Sequence, residues 1–179
     1  MADQGEETGG AIHDEHPFAT PPQQRDPVRQ FRGRLAAPVT IITAGSGEQA
    51  AGLTVSSLVV AEGEPPYLYF LLGSTTDLFY KLEQTGKFIV HVCEARHQAL
   101  SDVFAGLRPS PGGRFAGLEV EDSEWGPVLT DFATRAYCTM LDSDEETYSV
   151  MVEGSVDKIE LGDIDDPLVY FRGRYRPLD

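Results

Sequence analysis

Cysteine is scarce: the 179 residues contain two, Cys93 and Cys138. They match no metal-ligand spacing and offer no disulfide scaffold, so small buried thiols in a reducing compartment are expected. Long apolar runs are also missing. No stretch approaches the ~18 consecutive apolar residues of a membrane-spanning helix, and the first residues are acidic and polar, unlike a secretory signal. The sequence therefore predicts a cytoplasmic protein without membrane contact. Positive charge is short as well. Fourteen Lys and Arg stand against 29 Asp and Glu, a net charge of −15, which argues against nucleic acid as a partner. Finally, no G-x-S-x-G, P-loop or H-E-x-x-H occurs, and no G-x-G-x-x-G follows a strand. Hydrolase, kinase and doubly wound dinucleotide-binding readings lack the residues to carry them.

What charge there is falls unevenly. Residues 1–26 sum to −5 and residues 119–166 to −13, whereas 27–118 sum to +1 and 167–179 to +2. A site for an anionic ligand belongs in the near-neutral segment, where carboxylates do not repel it. Residues 1–24 are rich in Gly, Pro, Gln and acids and lack periodicity, which predicts a disordered acidic tail. Its "HDEH" lacks the ordered supporting groups a metal site needs and reads as a solvated charge run. One domain is expected over residues 25–179.

Within that domain, Asp26 and Pro27 form a helix-start pair, and Val28, Phe31 and Leu35 share a face at helical spacing, with Pro38 as the stop. "VTIITA" (39–44) and "AAGLTVSSLVV" (50–60) read as the two arms of a hairpin across the turn "GSGE". "YLYFLL" (67–72) reads as a central strand from its continuous apolar content. "DLFYKLEQTG" follows as a helix capped by Gly86, then the strand "KFIVHVCE" and the helix "ARHQALSDVFAG", with Ala99, Leu100, Val103 and Phe104 inward. Residues 107–117 form a Pro/Gly loop, and "DSDEE" (142–146) a solvated turn. Three more strands are expected over 133–142, 147–161 and 167–171, the middle one bulging at Gly154. The sum is mainly β with short helices: a β-barrel with helices packed outside it.

The unusual feature is hydroxyl and bare backbone inside an apolar run. Gly52, Thr54, Ser56 and Ser57 interrupt Leu53, Val55 and Leu58, and Gly73, Ser74, Thr75 and Thr76 lie just before a helix. Free N–H groups and the dipole at a helix start favour an anion, although "STTD" is equally an ordinary capping sequence. Together the two stretches suit a flat heterocycle bearing one phosphate. His91 and Cys93 share a strand face and read as packed core, His97 as an exposed helix residue, and Trp125 as a hydrophobic plug on the barrel. No catalytic residue and no metal ligand is assigned.

The ordered set "FRGRLAAPVTIIT", "GLTVSS", "EPPYLYFLL", "GKFIVHV", "LSDVFAG", "RFAG" and "PLVYFRGRYRPL" resembles the short-chain flavin reductase family of FMN-binding split barrels, over roughly residues 27–178. The resemblance implies a homodimeric flavoprotein oxidoreductase. It would hold FMN, or FAD, and take hydride from NADH or NADPH, often supplying reduced flavin to a monooxygenase. By position, it implies that Thr54, Val55, Ser56 and Ser57 line the isoalloxazine and that Gly52 lets the backbone approach it. It further implies that Gly73, Ser74, Thr75 and Thr76 serve the ribityl-phosphate end and that Phe104 lies near the phosphate. Fixed donors there would stabilise the electron density that reduced flavin carries near N1 and C2=O.

Four departures from the family pattern stand out. Leu78 replaces a Ser or Thr, Val103 replaces an Arg, and Pro38 replaces a Gly. The family's "G-D-H", whose His helps seat the nicotinamide, is absent from "DSDEETYS". They keep open a second reading, a flavin- or small-ligand-binding protein of this fold without nicotinamide oxidase activity.

Overall fold

The computed structural model of the chain describes residues 26–176 and residue 178; the expected acidic tail, with His13 and His16, lies outside them. Helix α1 (Pro27–Arg32) starts as the sequence dictates, with the Asp26 carboxylate accepting from the N–H groups of Val28 (2.7 Å) and Arg29 (3.1 Å). It ends at Gly33, ahead of Pro38, and buries none of its residues. Val28, Phe31 and Leu35 are exposed.

Strand β1 (Ala37–Pro38) leads to β2 (Thr40–Ala44), which pairs antiparallel with β3 (Ala51–Val55) in the expected hairpin. After β4 (Val59–Ala61) and β5 (Tyr67–Leu72), helix α2 (Asp77–Thr85) crosses back, capped at its start by Thr76 and closed by Gly86 in the left-handed conformation (φ 64°). Strand β6 (Lys87–Val92) and helix α3 (Gln98–Phe104) follow. Strands β7 (Val120–Ser123) and β8 (Gly126–Leu129) form a hairpin that the apolar pattern did not announce, because β7 is exposed and acidic. The long hairpin β9 (Arg135–Glu146) and β10 (Ser149–Glu160) and the short one β11 (Val169–Phe171) and β12 (Arg174–Arg176) complete the chain.

Seven strands form one antiparallel sheet in the order β3-β2-β6-β9-β10-β5-β4. Its two ends, β3 and β4, are not laddered to one another, so the barrel is split rather than closed. Strand β2 explains the apolar run of its sequence: every residue is buried, because both faces are covered. Ile42 and Ala44 face a core with Val55, Phe70, Phe88 and Val152 that Leu78 and Leu82 of α2 plug. Ile41 faces the other way, to Cys93, Phe104, Leu129 and Phe132.

Several expectations need correction. The acidic 142–146 stretch is the end of β9, and the turn falls at Thr147 (φ 52°) and Tyr148. Strand β5 alternates in burial, so it is covered on one face. The inward face of α3 is Ser101 and Phe104; Ala99 is exposed. The bulge at Gly154 is where expected, with a register shift between Glu153 and Gly154. A Cβ there would come within 2.7 Å of the buried Phe88 ring, which accounts for the glycine.

Candidate functional site on the free edge of the sheet

Strand β3 is the terminal strand of the sheet, so one side of its backbone has no ladder partner. The Gly52 carbonyl points off that side, since it accepts from Arg114 Nη1 at 2.8 Å. Backbone groups two residues apart point the same way along a strand. The N–H and C=O of Thr54 therefore share this free edge. Ahead of it the chain bends at Ser56, which is exposed.

The predicted residues are drawn together, though not all for the reasons expected. Ser57 Oγ accepts from Leu71 N–H (2.9 Å) and donates to Leu71 C=O (3.0 Å). That fastens the hydroxyl-rich stretch beside the end of β5, and so beside Gly73–Thr76, which follows directly. Thr54 Oγ1 donates to the Ser101 carbonyl (2.7 Å), tying β3 to α3 and leaving the hydroxyl's lone pairs as acceptors. Val55 is buried in the barrel core. A Cβ on Gly52 would lie 2.5 Å from the Phe104 ring, so that ring fills the space the missing side chain leaves. Phe104 itself is fully buried, edge-on to Phe115 with centroids 5.2 Å apart.

At the start of α2, Ser74 and Thr75 are exposed. Thr76 is already committed: its hydroxyl donates to Gly73 C=O (2.8 Å) and accepts from Phe79 N–H (3.3 Å). Asp77 puts a carboxylate in the first turn. Arg114, which the motif "RFAG" contained without signalling a role, is the cation the structure adds to this neighbourhood.

Among the described residues, the histidines and cysteines are structural. His91 is buried, with Nδ1–H donating to Ile41 C=O (3.1 Å) and Nε2 accepting from Leu129 N–H (3.0 Å). That assigns its tautomer and staples β2, β6 and β8. Burial lowers its pKa to about 3, so it stays neutral. His97, expected on an exposed face, is buried instead. Its ring stacks on Phe132 at 3.9 Å, accepts from Glu94 N–H (2.9 Å) and reaches Asp131 (3.2 Å). Burial pushes the Cys93 thiol up to about 12, which leaves no thiolate nucleophile. Trp125 covers Tyr137 edge-on and donates from Nε1 to Asp157 (2.8 Å), a plug with a polar anchor.

The arrangement offers fixed donors and acceptors along an open strip, and no acid–base or nucleophile pair. Two surface clefts, of about 310 and 340 Å³, both touch the β11–β12 hairpin and do not include Gly52–Ser57 or Gly73–Thr76. Such a strip can bind and orient a planar, hydrogen-bonding group, and the chemistry must come from what it binds.

The chain is similar to known proteins over most of its length. Residues 32–179 match the model of the flavin reductase like domain. The reductase component of 4-hydroxyphenylacetate 3-monooxygenase from Thermus thermophilus is 29% identical over 154 residues, covering 86% of this chain and 97% of that protein. The FMN reductase (NADH) RutF of Variovorax paradoxus is 30% identical over 151 residues, covering 84% of this chain and 83% of that one. Among solved structures, the flavin reductase PheA2 superposes with a TM-score of 0.75 at 25% identity, covering 84% of this chain and 97% of PheA2. The NADH:FAD oxidoreductase SgcE6 of Streptomyces globisporus superposes with a TM-score of 0.77 over 89% of this chain and 96% of its own; at 21% identity it speaks to the fold. A split barrel with an open, donor-lined strand edge and a family match over nearly the whole described chain make this protein a member of the flavin reductase like domain family.

Proposed function

We propose that the protein is an NAD(P)H-dependent flavin reductase that seats FMN on the free edge of β3 and passes hydride from a nicotinamide dinucleotide to it. The edge of β3 that lacks a ladder partner, with Thr54 on it and the Gly52 carbonyl held by Arg114, carries this reading. A flavin's pyrimidine side is a row of acceptors and one donor, and a strand edge is its hydrogen-bonding complement. FAD would present the same ring. When bound, the flavin supplies the hydride-accepting chemistry. The chain's residues do the rest: Thr54 N–H and the exposed Ser56 orient the ring. Ser57 locks the strip to β5 through Leu71. Val55, from the opposite face of β3, anchors the strand in the core. Family members named as reductase components of monooxygenases support a role in supplying reduced flavin to an oxygenase.

Two copies are proposed to assemble. Val59, Val60 and Leu71 are exposed at the β4–β5 end of the sheet, as is the apolar side of α1, and the open strip would gain a second wall there. Sedimentation analysis reads this directly, a monomer at micromolar concentration being the contrary result. No described helix is long and apolar enough to cross a membrane. A cytoplasmic setting is proposed, which the two free, buried cysteines suit.

The activity is tested by adding FMN and then NADH or NADPH to the purified chain and following absorbance at the nicotinamide band. Turnover with FMN is the expected outcome. A second reading has an observation of its own: the β9–β10 tip carries Asp142, Asp144 and Glu145 and no histidine. Carboxylates repel a dinucleotide's phosphates. Tight FMN binding without NAD(P)H turnover would favour this flavin-binding, non-oxidising form.

A further inference from the structure

We infer that Arg114 supplies the positive charge that holds the phosphate of a flavin mononucleotide seated on the β3 edge; the inference rests on the flavin reading above. Arg114 is half-buried, in a chain of net charge −15. Five basic side chains pair with acids: Lys87 with Glu124, Arg96 with Glu94 and Asp131, Arg108 with Asp102, and Arg135 and Lys158 with Glu160. Arg114 has no carboxylate within ion-pair distance among the described residues, and its Nη1 donates to the Gly52 carbonyl at 2.8 Å. That bond spends one of five N–H donors and fixes the planar group against the strand edge proposed to seat the ring. Its Nη2 lies over Gly106, 3.8 Å from where a Cβ would stand, just past the end of α3. An oriented guanidinium with unspent donors and no acid partner is the arrangement that binds phosphate.

The rival berth, at the start of α2, is weaker on the same grounds. Its Thr76 hydroxyl is spent within the chain, Asp77 places a negative charge in the first turn, and Lys81 turns to Gln49 and Gln84 instead.

The experiment compares dissociation constants of FMN and riboflavin, which differ by the phosphate alone, from quenching of flavin fluorescence. Wild type, Arg114→Gln, Arg114→Lys and the double variant Ser74→Ala/Thr75→Ala are measured. Gln keeps a donor for the Gly52 carbonyl while removing the charge. The wild type should prefer FMN, and Arg114→Gln should lower that preference by about ten- to a hundredfold with riboflavin affinity within about threefold of wild type. Arg114→Lys should retain most of it, and Ser74→Ala/Thr75→Ala should leave it in place. An unchanged preference in Arg114→Gln, its loss only in the α2 variant, or equal weakening of both flavins in Arg114→Gln would overturn the assignment, the last by showing a loop tether. A wild type that binds riboflavin and FMN equally overturns Arg114 but leaves the flavin seat standing. One that binds neither removes the seat and Arg114 together.

Discussion

One hydroxyl, that of Ser57, makes both hydrogen bonds of a missing ladder rung with the Leu71 peptide, at 2.9 and 3.0 Å. It joins the two hydroxyl-rich stretches where the barrel is split. Ser57→Ala would leave Leu71 N–H and C=O to water. The expected cost is about 1–2 kcal/mol of stability, read from urea denaturation. Flavin affinity should fall several-fold in the same variant, because the strip is no longer held against β5. Unchanged stability and affinity would show the bridge to be incidental.

Gly52 is a glycine because Phe104 occupies its side-chain space. Gly52→Ala should destabilise by about 1–3 kcal/mol through overpacking, since its Cβ would lie 2.5 Å from that ring. Phe104→Leu should recover part of the loss, giving a favourable coupling in a double-mutant cycle. Additive effects would separate the two residues.

The buried His91 ties stability to pH. Its folded pKa of about 3 lies below the 6.5 of the unfolded chain, so below pH 6.5 the unfolded state binds a proton that the folded state refuses. Stability is therefore complete above 6.5 and falls as pH drops towards 3, by roughly tenfold in the unfolding equilibrium per pH unit from this group. His97, held low by burial, acts in the same direction. His91→Gln should be less stable at neutral pH but show a shallower acid limb by one proton, measured by denaturation between pH 7 and 4. An identical slope would mean that His91 does not titrate on unfolding.

Much of this was legible in the sequence, for local reasons. The Asp26–Pro27 start, the Gly86 cap and the β2–β3 hairpin follow from backbone chemistry within a few residues. What depended on distant partners was not. His97 looked exposed on helical spacing alone, yet Phe132, 35 positions on, stacks on it. The acidic stretch 142–146 looked like a turn because solvated strand ends and turns share a composition. At the candidate site, hydroxyl content pointed to the strand on which the proposal rests, but the feature carrying the proposal is backbone, an edge left without a ladder partner by sheet order. Arg114 came from a loop whose 62-residue separation from Gly52 no periodicity encodes.

The most direct test follows amide hydrogen exchange by NMR with and without FMN. If the ring sits on the free edge of β3, the Thr54 amide gains protection on binding, together with Ser56 beside it, while the amides of Ile41 and Val90 in the interior strands change little. FMN binding that leaves Thr54 exchanging as before, with new protection at the β11–β12 clefts instead, would contradict the account.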